Sequence, residues 1–152
     1  MTTDEISTLE TQLRVAFERW QATPFVRLQC VQGGGVDCGN LAFVLLRECG
    51  AEMPSLNPPT FGFYLGGADY RGRLRSVLES ASEFVAQPLS GAVQAGDVLI
   101  FQVSKHVQHI GTALSAVSFA HIWPGSTPQE SSLQQDIWKH RLTQIWRLNT
   151  YA

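Results

Sequence analysis

The fold is decided by the stretch Gly33-Gly34-Gly35-Val36-Asp37-Cys38-Gly39-Asn40-Leu41. Three successive glycines predict a loop with unusual backbone angles. Asp37 is a favourable N-cap residue, and apolar residues then recur at helical spacing as far as Cys49, where Gly50 suits the C′ position. The sequence therefore predicts a glycine-rich loop followed at once by a buried helix, with Cys38 in its first turn.

Further helices are predicted on both sides of this stretch. From Thr2 to Trp20, apolar residues recur every three or four positions behind a Thr-x-x-Glu capping box. The segment Ala51–Gly67 is rich in proline and glycine and is predicted to be a long irregular connection, which in many domains is a functional loop. A third helix is predicted from about Asp69 to Ala86, because its apolar residues again have helical spacing.

The second half of the chain is predicted to be mostly β-structure. Short β-branched or aromatic runs separated by turn-sized gaps are typical of antiparallel strands, and they occupy Asp97–Val103, Ile110–Leu114 and Val117–Trp123. Ser131–His140 is expected to form one more helix and Leu142–Leu148 a closing strand. Helices followed by a meander of strands indicate an α+β fold, which we expect to form a single domain over residues 1–152.

Composition and charge exclude several classes of protein. The 152 residues carry a formal net charge of −2 and are 44% hydrophobic, which is too apolar for a disordered chain. The chain has no run of Lys or Arg, so no nucleic-acid partner is expected. No stretch reaches the roughly 20 apolar residues of a membrane-spanning helix, and the acidic N-terminus lacks the apolar core of a signal peptide. We therefore expect a protein that is made in the cytoplasm and has no membrane span.

The three cysteines are expected to play different parts. Their odd number argues against a disulfide framework. Cys30 and Cys49 are interpreted as packing residues. At the start of a helix, unpaired N–H groups and the helix dipole favour a thiolate, so we expect Cys38 to have a lowered pKa and to act as a nucleophile. The alternative is that Cys38 is a buried residue packed like a small hydrophobe.

Two histidines in consecutive predicted strands could serve such a nucleophile. His109 and His121 could lie side by side on neighbouring antiparallel strands, as a base and the group that orients it. The alternative is that each is an ordinary strand histidine. A zinc site built from Cys38, His106, His109 and His121 is also conceivable, but no close ligand pair has a matching second pair, so no metal is expected.

Five motifs, in their order along the chain, resemble those of the NlpC/P60 family of papain-like cysteine peptidases, and most closely its phage-type cell-wall peptidases. They are Trp20-Gln-Ala-Thr-Pro-Phe25, Gly35-Val-Asp-Cys38-Gly-Asn-Leu41, Ala95-Gly-Asp-Val-Leu-Ile-Phe101, His109-Ile-Gly111 and Phe119-Ala-His121. The resemblance implies a minimal papain-like α+β fold, with N-terminal helices packed on an antiparallel β-meander. It also implies hydrolysis of amide bonds in peptidoglycan peptides, with no cofactor.

The resemblance also assigns roles to individual residues. It implies that Cys38 is the nucleophile, His109 the general base and His121 the residue that orients the base, with a thioester intermediate. Phe25, Gly35 and Asp37 are expected to support the substrate or the oxyanion. The sequence departs from the family pattern in having Phe25 where a tyrosine is usual, and Gly39-Asn40 directly after the cysteine.

Two other functions stay open from the sequence. One is a non-catalytic module on the same scaffold that binds the cell wall or belongs to a phage tail, which the departures from the family pattern favour. The other is a related amidase or acyltransferase. The expected partners are peptidoglycan peptides and phage-tail components, and the protein would reach the wall with a phage particle or at lysis.

Overall fold

The computed structural model describes residues 1–56 and 73–152 of the chain. Its helices are α1 (Thr3–Trp20), α2 (Cys38–Glu48), α3 (Arg73–Ser80) and α4 (Asp136–Lys139), with short 3-10 turns at Pro54–Leu56 and Asn149–Tyr151. Its strands are β1 (Cys30–Val31), β2 (Gly35–Val36), β3 (Phe84–Gln87), β4 (Val98–Ser104), β5 (Val107–Ala113), β6 (Ser118–His121), β7 (Gln129–Ser132) and β8 (Leu142–Leu148). None of the helices in the described ranges is both long and apolar enough to cross a membrane.

The two N-terminal helices begin where the sequence predicts. The Thr2 hydroxyl accepts a hydrogen bond from the Glu5 backbone N–H at 3.2 Å, and the Glu5 carboxylate accepts one from the Thr2 N–H at 2.6 Å. This is the predicted capping box. Asp37 caps α2, and Gly50 just beyond its end has a φ of +86°, as the C′ position requires.

Within the described residues, the larger sheet has six strands in the order β3-β8-β4-β5-β6-β7, and all their pairs are antiparallel. One face packs with α1, α2 and α3 around a core that includes Val98, Ile100 and Ile110. The other face carries a second, aromatic cluster. Its fully or nearly fully buried members are Leu99, Phe101, Ala113, Phe119, Trp138 and Ile145. The α+β prediction is therefore confirmed.

Two predicted helices are wrong over part of their length. The third was predicted to end at Ala86, but α3 ends at Ser80 and Phe84–Gln87 is a strand that pairs with β8. Its predicted start near Asp69 lies outside the described residues, as does the connection beyond residue 56. The last predicted helix, Ser131–His140, is helical only over α4, because its first residues belong to β7. Phe84–Gln87 pairs with the distant strand β8, whereas β7 pairs with β6 just before it, and local periodicity reveals neither pairing.

The helix that carries Cys38 is fixed to the strand that carries His109. The Thr112 hydroxyl on β5 donates a buried hydrogen bond of 2.9 Å to the backbone carbonyl of Ala42 on α2. On the other face of β5, a side chain at Gly111 would place its Cβ 2.7 Å from the Phe119 ring and 2.8 Å from the Ala120 carbonyl oxygen. Glycine at this position therefore lets β6 approach β5 closely.

Candidate active site

Asp37 organises the backbone around the start of α2. One of its carboxylate oxygens accepts from the Asn40 N–H at 2.9 Å, and the other accepts from the Leu28 N–H at 3.0 Å. Leu28 has a φ of +63°, a conformation that is uncommon for a residue with a side chain. Asp37 thus links the helix start to the preceding loop. Its carboxylate is engaged by these two N–H groups, so it can affect an oxyanion only by positioning the backbone of the helix start.

Gly35 and Phe25 also hold the loop before α2. A Cβ at Gly35 would lie 2.6 Å from the side chain of Val26 and 2.7 Å from that of Gln29, so the chain itself occupies the space that the missing side chain leaves. Phe25 forms a β-bridge with Val36, and its N–H donates to the Ser126 carbonyl at 3.1 Å. Phe25 therefore connects the loop before α2 to the segment that follows β6, and Gly35 lets that loop pack closely on itself.

Cys38 lies at the first position of α2 and is 1% exposed. Burial of the sulfur, and then the negative charge of Asp37, raise the pKa of the Cys38 thiol. Hydrogen bonding by the backbone N–H groups of Gly39 and Cys38 acts in the opposite direction. The expected lowering of the Cys38 pKa is therefore wrong for this structure, because loss of water around the sulfur outweighs the helix start.

His109 and His121 are brought into direct contact. The Nε2 of His109 lies 2.8 Å from the Nδ1 of His121, and the Nε2 of His121 lies 2.7 Å from the Oγ of Ser131 on β7. Both histidines are almost completely buried. Side chains on three neighbouring strands thus form one continuous line of hydrogen bonds that ends at the His109 ring.

Aromatic rings surround this pair. The Trp123 ring stacks on the His109 ring with a centroid separation of 3.9 Å and an interplanar angle of 7°. Trp138 meets the His121 ring edge-on at 5.0 Å. Burial, and then the neighbouring His121, hold the pKa of His109 well below its usual value, and burial lowers the pKa of His121 to about 4. Both rings are therefore neutral at pH 7.

One ring nitrogen of the pair stays available for chemistry. Among the residues that the structure describes, the buried Nδ1 of His109 has no hydrogen-bond partner, so it is not hydrogen-bonded to the Cys38 thiol. Since α2 packs on β5, the thiol and this nitrogen belong to elements that touch each other. A buried imidazole nitrogen without a partner can accept a proton from a thiol that comes within reach.

The remaining cysteines and histidines lie apart from this arrangement. Cys30 and Cys49 are partly buried free thiols, and burial raises the pKa of each to about 11. His106 and His140 are exposed. Within residues 1–56 and 73–152, no group of three or more His, Cys, Asp or Glu side chains is placed to hold a metal ion.

Sequence reasoning missed three residues of this site. Ser131 was assigned to a helix, so its contact with His121 had no basis in the predicted elements. Trp138 lies on α4, far from the histidines in sequence. Trp123 could have been found, because it follows His121 by two residues and alternation along a strand would set the two side chains on one face.

The fold and the site first define a class of protein. An α+β fold with a cysteine at the start of a helix that packs on a histidine-bearing strand of an antiparallel sheet is the arrangement of papain-like cysteine peptidases. The model of the NlpC/P60 family matches residues 20–147, so the chain belongs to the NlpC/P60 family. Proteins of this family are generally cysteine peptidases or amidases of the cell wall.

A solved structure supports the same fold. The chain is similar to a protein from Staphylococcus aureus subsp. aureus Mu50, described as similar to a lipoprotein of the NLP/P60 family, with 15% identity and a TM-score of 0.59. The match covers 93% of this chain and 41% of that one, so this chain spans less than half the length of its structural neighbour. No curated protein matches the sequence.

Proposed function

We propose that this protein is a cysteine hydrolase that cleaves amide bonds in peptidoglycan peptides, with Cys38 as nucleophile, His109 as general base and His121 as the orienting residue. The observation that carries the proposal is the state of His109. Its Nε2 is engaged by His121, while its Nδ1 is buried and has no partner within residues 1–56 and 73–152. A base needs this combination of one fixed nitrogen and one free nitrogen. Family membership supplies the substrate class.

The reaction begins from neutral groups. The proton of the Cys38 thiol passes to the Nδ1 of His109, and the thiolate attacks the amide carbon to form a C–S bond. In this proposal the oxyanion is stabilised by the backbone N–H groups of Cys38 and Gly39, which already interact with the sulfur. His109 then donates its proton to the leaving amine, and the C–N bond breaks to leave a thioester.

Water completes the cycle. His109 removes a proton from a water molecule, which attacks the thioester carbon. The C–S bond breaks, a carboxylic acid is released and the thiol takes back its proton from His109. Throughout, the Nε2–H of His109 donates to the Nδ1 of His121, which keeps the reactive nitrogen facing the sulfur.

The test is cleavage of a defined muropeptide mixture, followed by mass spectrometry. We expect the wild-type protein to release new carboxyl and amino ends, and Cys38→Ala to release none while keeping its circular dichroism spectrum. Cys30→Ala and Cys49→Ala serve as matched controls and should cleave like the wild type. Cleavage by Cys38→Ala would overturn the proposal.

Running the same reaction in H2¹⁸O separates hydrolysis from acyl transfer. Hydrolysis places one ¹⁸O atom in the new carboxyl group, because water attacks the thioester. An acyltransferase would instead join the acyl group to an added amine, with no ¹⁸O in the product. A product that carries the amine and no ¹⁸O would show that the protein is an acyltransferase and not a hydrolase.

The second candidate function is a non-catalytic module that binds the cell wall on the same scaffold, for example within a phage tail. It is favoured by the burial and raised pKa of Cys38 and by the lack of a hydrogen bond from His109 Nδ1 to the thiol. This candidate predicts that muropeptides bind equally to the wild type and to Cys38→Ala, with no cleavage by either. A delivery route with a phage particle or at lysis predicts that the protein is found in virions or on the wall of lysing cells, which fractionation can check.

A further inference from the structure

We propose that Ser131 is a positioning residue of this site: by accepting a hydrogen bond from His121, it fixes the proton arrangement of both histidines so that His109 presents an unprotonated Nδ1. The inference rests on the proposed function and deepens it, since it concerns the same base. Ser131 touches neither the thiol nor the substrate, and it acts only through His121.

The position of Ser131 follows from the pairing of β6 and β7. Ser131 lies opposite Phe119 and His121 lies opposite Gln129 in the register of these strands. The adjacent Glu130 is held by Arg14 of α1 through two hydrogen bonds of 2.7 Å. The strand that carries Ser131 is therefore anchored at the point where its hydroxyl meets the His121 ring at 2.7 Å.

The hydrogen bonds of the line can run in two directions. In the first, His109 Nε2–H donates to His121 Nδ1, and His121 Nε2–H donates to the Ser131 oxygen. The Nδ1 of His109 then carries no proton and can act as a base. In the second, the Ser131 hydroxyl donates to His121, His121 donates to His109, and the Nδ1 of His109 is protonated and cannot accept the thiol proton.

The first direction is also the one that the reaction requires after proton transfer. Once His109 has taken the thiol proton, both of its nitrogens carry hydrogen, so its Nε2–H must donate to His121 Nδ1. His121 must then hold its own proton on Nε2, with Ser131 as the acceptor. Since the same arrangement serves before and after the transfer, no hydrogen of the line has to move during catalysis.

A serine hydroxyl is well suited to this role because it can accept while its own hydrogen turns elsewhere. Removing it would leave the buried Nε2–H of His121 without an acceptor, which is costly in an apolar site. In the second arrangement His121 Nε2 carries no hydrogen and needs no acceptor, so loss of the hydroxyl shifts the pair from the first arrangement towards the second. A threonine hydroxyl at the same position would keep the first arrangement.

The test compares Ser131→Ala with Ser131→Thr, and Ser132→Ala serves as the matched control on the same strand. The Ser132 hydroxyl accepts a hydrogen bond from the Gln134 N–H and takes no part in the line. The first readout is the ¹⁵N NMR spectrum of the histidine rings, assigned with His106→Gln and His140→Gln. The second is kcat and KM on the muropeptide substrate.

We expect the wild type to show a protonated Nε2 on both buried histidines. Ser131→Ala should lose this pattern and should lower kcat about tenfold while KM changes less than twofold, as expected when an outer residue orients a histidine. Ser131→Thr should restore both readouts, and Ser132→Ala should match the wild type. An unchanged tautomer pattern in Ser131→Ala would overturn the proposal. So would a loss of kcat in Ser131→Thr and Ser132→Ala as large as the loss in Ser131→Ala. If the wild type cleaves nothing, the proposed function fails, while the NMR comparison still decides the role of Ser131.

Discussion

The start of α2 and the histidine pair of β5 and β6 hold their reactive groups by different means. At the start of α2, the backbone is held by one carboxylate, since Asp37 caps the helix and accepts a hydrogen bond from the Leu28 N–H. The histidine rings are instead held by other side chains, which are the Ser131 hydroxyl bonded to His121 and the Trp123 ring stacked on His109. The first region depends on backbone N–H groups of one loop and one helix, and the second depends on side chains from three successive strands.

Electrostatics follow the same division. Burial keeps the Cys38 thiol at the start of α2 protonated, and it keeps the two imidazoles neutral. Neither group is therefore charged before substrate binds. The charge of Asp37 opposes a thiolate at Cys38, whereas the aromatic face of Trp123 favours a cation at His109. The comparison shows an imidazole pair that is already oriented and a thiol that is still protonated.

Loss of the oriented base should have the largest effect. His109→Gln keeps a polar side chain of similar size but removes the nitrogen that accepts the thiol proton. We expect kcat on muropeptides to fall by about 10³-fold, within the range for general acid–base catalysis. Steady-state kinetics measure this, and thermal unfolding of the same variant checks that the protein is folded. Activity within tenfold of the wild type would contradict the role of His109.

Acid should lower the stability of the protein through the buried histidine pair. The pKa of His121 is lowered from 6.5 to about 4, so its contribution to stability is complete above pH 6.5 and is lost as the pH falls towards 4. Since the unfolded chain binds the proton more readily, the loss reaches about 3 kcal/mol. Urea unfolding between pH 7.5 and 4 measures it. His121→Gln should have a flatter pH dependence than the wild type, and identical slopes would refute the assignment.

A methyl group should disturb both the strand pair and the loop before α2. Gly111→Ala places a Cβ against a backbone oxygen and the Phe119 ring, and neither can move without shifting β6. Gly35→Ala places a Cβ 2.6 Å from the Cβ of Val26, which cannot move without shifting the backbone of the loop. We expect each substitution to cost about 3 kcal/mol. Urea denaturation measures both, and a cost below about 1 kcal/mol for Gly35→Ala alone would show that the loop is the more adaptable region.

The smallest change concerns the charge beside the nucleophile. In the native wild type, Cys38 should react with iodoacetamide more slowly than Cys30 and Cys49, because it is buried and they are partly exposed. Asp37→Asn removes the charge that raises the Cys38 pKa and should speed its alkylation severalfold. One of the two N–H groups that Asp37 binds then lacks its acceptor, at a cost of about 1 kcal/mol.

Mass spectrometry of peptides after timed alkylation gives the rate for each cysteine. Glu48→Gln offers a matched control, since Glu48 lies at the other end of α2 and its charge raises the pKa of Cys49 instead. An unchanged Cys38 rate in Asp37→Asn would show that burial alone controls this thiol.

The parts of this protein that the sequence predicts are those decided locally. The capping box of α1, the N-cap of α2 and the positive φ of Gly50 depend on residues within one or two turns. Phe84–Gln87 and Ser131 were assigned to helices because their strand pairing, with β8 and β6, is not visible in the local spacing of apolar residues. The pKa of Cys38 was misjudged for the same reason, since the packing that buries its sulfur comes from distant elements.

The paired hydrogen bonds between Arg14 and Glu130 bear on how the chain can be shortened. The family match starts at residue 20, yet α1 lies almost wholly before that point and buries Leu13 and Phe17 in the core. A chain trimmed to the matched residues would lose this packing and would release Glu130, at the outer edge of the sheet. The freed edge of β7 could then pair with another molecule. The residues that match the family model are therefore fewer than the residues that the folded domain needs.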